Sequence, residues 1–203
     1  FVFFTFLPCL RIPGSVRFPP IGISPNLVKE RFWRTRVVAK YPCKTVDMTF
    51  FDTAPFRYVA EVEVKVSAAD VFASFENADD WPRWAMPIQK VEWTAPKPFG
   101  IGTTRTVSMI GGLVGYEEFI AWERGREMAF CFTHGSKDNI ESFAERYEVD
   151  AISEQCCRVR WTMAMKPKGF SKYFLPVFSP AMHLGVKVML RKFARLVEGR
   201  RCF

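Results

Sequence analysis

Apolar and polar positions alternate most regularly just after residue 55. Tyr58, Ala60, Val62, Val64 and Val66 fall on one side of an extended chain, with Arg57, Val59, Glu61, Glu63 and Lys65 on the other, which predicts a half-buried strand. Ser67 with Asp70 three residues on resembles a capping box, Asp standing for the usual Glu or Gln, and opens a short helix through AADVFASF. The segment WPRWAMP (81–87) breaks the pattern. Six more strands are predicted around 90–95, 103–110, 116–123, 127–134, 141–151 and 156–166, joined by turns such as GGLVG (111–115) and GSKDNI. Near the end the period changes. At about 100° per residue, Met182, Val186, Met189, Leu190, Phe193, Leu196 and Val197 share an arc about 120° wide, with Lys187, Arg191, Arg195 and Glu198 opposite. Ser179, Pro180 and Gly199 supply start and stop signals, so a long helix is predicted over 180–199 and a loop over 167–179. Consecutive strands with short turns make an antiparallel sheet, and one segregated helix makes the class α+β.

Strand parity then says which side chains face that helix. Phe130, Phe132, Met128 and His134 share one face of their strand, opposite Ala129, Cys131 and Thr133. Phe143, Tyr147 and Val149 carry Glu145 inward, Trp161, Met163 and Met165 turn in with Val159, and Val107 and Met109 bring Arg105. The strand over 116–123 is ambiguous, because both parities hold an apolar pair and a glutamate. Arg105, His134, Glu145 and Tyr147 are thus polar groups expected among apolar neighbours, where a charge needs a partner. Arg105 and Glu145 either pair structurally or orient the polar head of an apolar ligand. His134 and Glu145 are the candidates for proton transfer if a substrate reaches them, with His134 at a strand end next to Gly135. Trp81 and Trp84 either plug one end of the sheet or stack on a flat ligand. Met163, Met182 and Met189 are core filler or an adaptable ligand surface.

Composition narrows the classes. The 203 residues carry a formal charge of +8, but residues 1–47 hold 8 Lys/Arg against 2 Asp/Glu, and the remainder 21 against 19. The near-neutral domain gives no footing for a nucleic-acid surface. Cys at 9, 43, 131, 156, 157 and 202 and the two His form no metal-ligand spacing, so no metal or cofactor is expected, and reduced thiols suit a cytoplasmic protein. No run of about 20 apolar residues predicts a membrane-spanning helix. Residues 1–47, rich in Pro and with the first Met at Met48, are expected to be a disordered or spurious extension preceding a domain over 48–203.

The order strand, short helices, six strands and long helix, the Trp81-Pro82-Trp84 break, and Gly102-Thr103 opening a strand resemble the helix-grip, START-related superfamily (SRPBCC) over about residues 55–199. This superfamily includes the polyketide cyclases/dehydrases. The resemblance implies a curved seven-stranded antiparallel sheet gripping the C-terminal helix around an apolar cavity, with a portal at 167–179. It implies binding or transport of lipids, quinones or polyketides, or cyclisation and dehydration chemistry. A carrier would hold its hydrophobic ligand with Trp84, Arg105, Val107, Met109, Phe130, Phe132, Tyr147, Trp161, Met163, Met182, Val186 and Met189. An enzyme would add Glu145 and His134 as proton donors and acceptors. The third reading is a packed interior with the basic helix face (Lys187, Arg191, Arg195) touching a partner. Aromatic residues flanked by Lys168 and Lys172 in 169–180 also suit transient contact with a membrane, and the oligomeric state stays open.

Overall fold

The structure is a computed structural model that describes residues 39–200. A two-residue strand β1 (Tyr41–Pro42) and one helical turn α1 (Phe50–Thr53) precede the long edge strand β2 (Phe56–Val64). Next come α2 (Ala68–Glu76), a 3₁₀ turn (Ala78–Asp80) and the turn α3 (Trp81–Trp84). Six strands follow, β3 (Ile88–Trp93), β4 (Thr104–Met109), β5 (Leu113–Glu123), β6 (Glu127–Gly135), β7 (Ile140–Ser153) and β8 (Cys156–Pro167), and then α4 (Ser171–Gly199). The sheet runs β2-β8-β7-β6-β5-β4-β3, all antiparallel. This is the expected curved α+β sheet of seven main strands with a long C-terminal helix. The capping box at α2 is formed: Asp70 N donates to Ser67 Oγ, and Ser67 N donates back to the Asp70 carboxylate.

Hydrophobic residues divide between two layers. The larger core lies on the face covered by α2, α3 and α4, and includes Phe72, Phe75, Trp81, Trp84, Phe119, Phe130, Tyr147, Trp161 and Phe193. The opposite face carries small residues (Ala129, Cys131, Ala144 and Ala164), and Phe51 of α1 packs on them with Val46 and Met48. Small side chains there let α1 lie close to the strands.

Residues 39–47 act as a strap on this structure. β6 and β7 pair only from Glu127↔Glu148 to Cys131↔Ala144, and beyond that the chain before Met48 takes over. Tyr41 and Pro42 pair with Gly135 and His134, Cys43 N donates to Thr133 O, and Lys44 N donates to Glu141 O. Backbone groups that the separating strands would leave open are met in this way. The expectations for residues 1–38 lie outside the described residues.

α4 starts nine residues earlier than the sequence pattern indicates, so the loop expected at 171–179 is helical. Pro176 and Pro180 sit inside the helix. Each proline removes one helical hydrogen bond, from the carbonyls of Lys172 and Pro176, and both of those residues are exposed, so water can take the freed oxygens. The helix is long and apolar enough, by length and composition, to cross a bilayer, with an 18-residue window of mean hydropathy 1.2. Its second half nevertheless packs into the sheet through Val186, Met189, Leu190, Phe193, Ala194 and Val197. In the stretch 171–185 only Leu175 is buried.

Candidate functional site

Sheet register brings the interior polar groups together. Arg105 on β4 lies between Trp93 of β3 and Glu117 of β5, and Glu117 is opposite Phe132 of β6. One strand further, Phe130 is opposite Glu145 of β7, and Tyr147 is opposite Trp161 of β8. The result is a polar row through an aromatic interior.

Arg105 is 1% exposed, and its Nε donates to Glu117 Oε2 at 2.5 Å. Its guanidinium carbon lies 4.0 Å from the centre of the Trp81 ring and 4.5 Å from that of Phe130. Such desolvated cation–π contacts contribute about 2 kcal/mol. Of the readings open for Arg105 and Glu145, direct pairing is not what the structure has: the partner of Arg105 is Glu117, from the strand of ambiguous parity. Glu145 instead accepts a 2.6 Å hydrogen bond from the Tyr147 hydroxyl. Burial raises Glu145 from 4.5 to about 8, against the lowering effect of that bond, and the neighbouring Glu117 raises it further. Burial also raises Glu117, against the pull of Arg105, and raises the Tyr147 phenol well above its ordinary value. The row therefore holds one ion pair beside a carboxyl that keeps its proton at neutral pH.

Several donors in this row have no acceptor. Arg105 Nη1 and Nη2 and the indole nitrogens of Trp84, Trp93 and Trp161 are buried without a hydrogen-bond partner. Trp161 Nε1 lies toward Glu145 outside hydrogen-bond geometry. A buried donor left unmet costs about 1–3 kcal/mol.

The residues predicted to hold a ligand divide by depth. Trp84, Arg105, Val107, Phe130, Tyr147, Trp161 and Val186 are buried to 2% exposure or less. Phe132, Met163 and Met189 reach 7%, and Met109 and Met182 are half-buried. At the deep end the side chains fill the space sequence reading assigned to a cavity. Trp84 contacts Trp161 at 5.7 Å and Phe193 at 5.3 Å between ring centres, and Tyr147 stacks on Trp161 at 5.6 Å. Open clefts of about 420 and 370 Å³ border the strap at Lys44 and Val46 and α1 at Phe50 and Thr53, and share no residue with the predicted site. The looser end is where the first half of α4 leaves Tyr173, Val177 and Leu184 at 65%, 72% and 62% exposure.

His134 does not join the row. Tyr116 pairs with His134 and Glu117 with Phe132, so β6 carries one extra residue, Thr133. That bulge reverses the parity and turns His134 to the side of Tyr116, whose ring it meets edge-on at 6.3 Å. Lys40 lies over the same Tyr116 ring, 4.2 Å from its centre. Among the residues sequence reading missed, Glu117, Trp93 and Phe119 matter most. Glu117 carries no clear sequence signal, because register shifts in the strand pairing change the parity along 116–123.

Comparison with known proteins adds a lineage to this geometry. The family model described as polyketide cyclase / dehydrase and lipid transport matches residues 55–198. An uncharacterized protein of Mycobacterium tuberculosis is 43% identical over 160 residues, which is 79% of this chain and 95% of that one. A START superfamily protein from Mycobacterium smegmatis superposes with a TM-score of 0.53 at 18% identity, covering 71% of this chain and 95% of the other. The di-domain ARO/CYC BexL from the BE-7585A biosynthetic pathway gives 0.57 at 15% identity, covering 70% of this chain and 46% of its own. At such identities the superpositions speak for the fold alone.

Proposed function

The chain belongs to the polyketide cyclase/dehydrase and lipid transport family, and from that footing we propose that it binds and carries a hydrophobic small molecule between the inner face of the sheet and α4. The observation that carries this reading is the change in packing along the helix. The second half of α4 closes over a filled aromatic core, while the first half, which includes the half-buried Met182, leaves apolar side chains in water. A monomer gains nothing by exposing them, and an apolar guest or an apolar surface would cover them. The Met182 thioether, half-buried in this half of the helix, can change rotamer at low cost and make room. On this reading the stretch 169–180 is the entrance, and its aromatics with Lys172 suit brief contact with a lipid donor.

Tryptophan emission provides the test, since Trp84 and Trp161 stand at the deep end of the route. Titration with an apolar fluorophore should give saturable transfer from tryptophan to the bound dye, and Met182→Trp, which narrows the entrance, should weaken it at least several-fold. Transfer that never saturates, or that is unchanged in Met182→Trp, contradicts the reading.

Proton chemistry is a second reading, favoured by one observation. The Tyr147 hydroxyl and the Glu145 carboxyl form a buried 2.6 Å pair that holds its proton at neutral pH, as a general acid requires. Glu145→Gln separates the two readings: turnover of a cyclisable substrate would collapse while apolar binding persists.

A further inference from the structure

The outward face of α4 changes character along its length. At about 100° per residue, Tyr173, Val177 and Leu184 share an arc about 100° wide with Arg191, Lys192 and Arg195. All six side chains are exposed, so the first half of that face is apolar and the second half basic. Lys187 flanks the basic half, and the one acid in the helix is Glu198, whose carboxylate accepts from Lys65 N. These cations also stand apart from those of the sheet. On β8, Arg158, Arg160 and Lys166 meet the carboxylates of Glu63, Glu61 and Glu141. Among the described residues, Lys187, Arg191, Lys192 and Arg195 meet none.

A basic helix face alone is usually just solvated. Here it continues an uncovered apolar face, and an uncovered apolar face calls for a partner. Whatever covers both halves has to be apolar at one end and anionic at the other. A second copy packed through the apolar half leaves the cations unanswered. A nucleic acid answers the cations and leaves the apolar half in water. We infer that α4 lies along the surface of a bilayer rich in anionic lipid, with Tyr173, Val177 and Leu184 among the upper acyl chains and Arg191, Lys192 and Arg195 at the headgroup phosphates. Leu175, Val186 and Met189, on the other side of the helix, stay with the rest of the protein. The docking rests on the entrance reading above, extends it from 169–180 to the whole outward face of the helix, and requires no ligand in the interior.

Flotation of the full chain with lipid vesicles tests this. Wild type should partition at least about tenfold more strongly onto phosphatidylcholine–phosphatidylglycerol vesicles than onto phosphatidylcholine alone, and the excess should shrink as salt is added. The triple variant Arg191→Gln/Lys192→Gln/Arg195→Gln should lose at least about tenfold on the mixed vesicles. Val177→Asp, which places a charge in the apolar half, should lose a similar factor on the same vesicles. All these positions are exposed, so urea midpoints should stay at wild type, and a fall in partition then reports the surface rather than the fold. Variants that float like wild type would put the binding elsewhere, for instance in the basic residues before 39, and would overturn the inference. Equal partition onto the two kinds of vesicle, or none onto either, would overturn it too. So would a chain that is dimeric in solution and monomeric as Val177→Asp, which puts a second copy on this face. In each of these cases, saturable dye transfer measured without vesicles would leave the binding reading standing.

Discussion

Arg105 is the residue on which the interior turns. Its inward direction is legible in the sequence, because Val107 and Met109 share its parity. Its partner is not, because β5 changes parity along its length. Phe119 pairs with Phe130 and Ala121 with Ala129, so Ile120 is an extra residue. The inner set is thus Glu117, Phe119 and Trp122, a spacing no simple alternation produces. Pairing has a direct consequence for stability. Arg105→Met leaves Glu117 buried without its cation and should lower unfolding free energy by about 3–5 kcal/mol, read from urea midpoints. Adding Glu117→Gln should restore part of it; a single-variant loss below about 1 kcal/mol would show that the pair carries no such burden. Glu145 has a separate signature. Its pKa is raised from 4.5 to about 8, so the folded protein keeps a proton the unfolded chain releases. Its contribution is fully present below about pH 4.5 and is lost as pH rises through about 8. The difference in stability between wild type and Glu145→Gln should therefore shift in favour of the variant across that window. A pH-independent difference would mean that Glu145 titrates normally.

At the level of elements, bulges and prolines mark where the sequence misleads. The strand over 127–134 reads as a clean alternation, and only the register shows that Thr133 reverses His134. For α4, Pro180 reads as a start, yet exposed carbonyls ahead of it let the helix run from Ser171. The two halves of α4 should respond differently to substitution. Val177→Asp should leave stability within about 0.5 kcal/mol of wild type and reduce uptake of an apolar fluorophore from lipid vesicles. Phe193→Ala, in contrast, should lose about 3–5 kcal/mol, because Phe193 is fully buried and stacks on Phe75 at 4.9 Å. The strap makes a third case. Two backbone hydrogen bonds join Cys43 and Lys44 to β6 and β7, and the Ser142 hydroxyl donates to Lys44 O. At about 1 kcal/mol for each bond, a chain trimmed to start at Met48 should be less stable by at least about 2 kcal/mol. Equal urea midpoints for trimmed and untrimmed chains would show that the strap is dispensable.

For the molecule as a whole, the succession of strands and helices, the class and the apolar face of the terminal helix follow from periods of two and 3.6, which is why the fold is readable from residue 56 onward. The pairing of β2 with β8 is not in any period. Neither is the strap, since residues 41–44 have no period of their own and are extended only because β6 and β7 separate there. How the interior is filled was also illegible. Patterning says which side chains turn inward and is silent on whether Trp84, Tyr147, Trp161 and Phe193 leave a space or meet. They meet, so a guest has to enter at the loosely packed end and move side chains apart. Native mass spectrometry of the purified chain, followed by organic extraction, tests this most directly. A one-to-one apolar adduct is expected, copurified or acquired from an added apolar ligand, and lost on extraction. A chain that keeps its bare mass after exposure to lipid, quinone and aromatic polyketide panels would contradict it and leave an interior that is packed and closed.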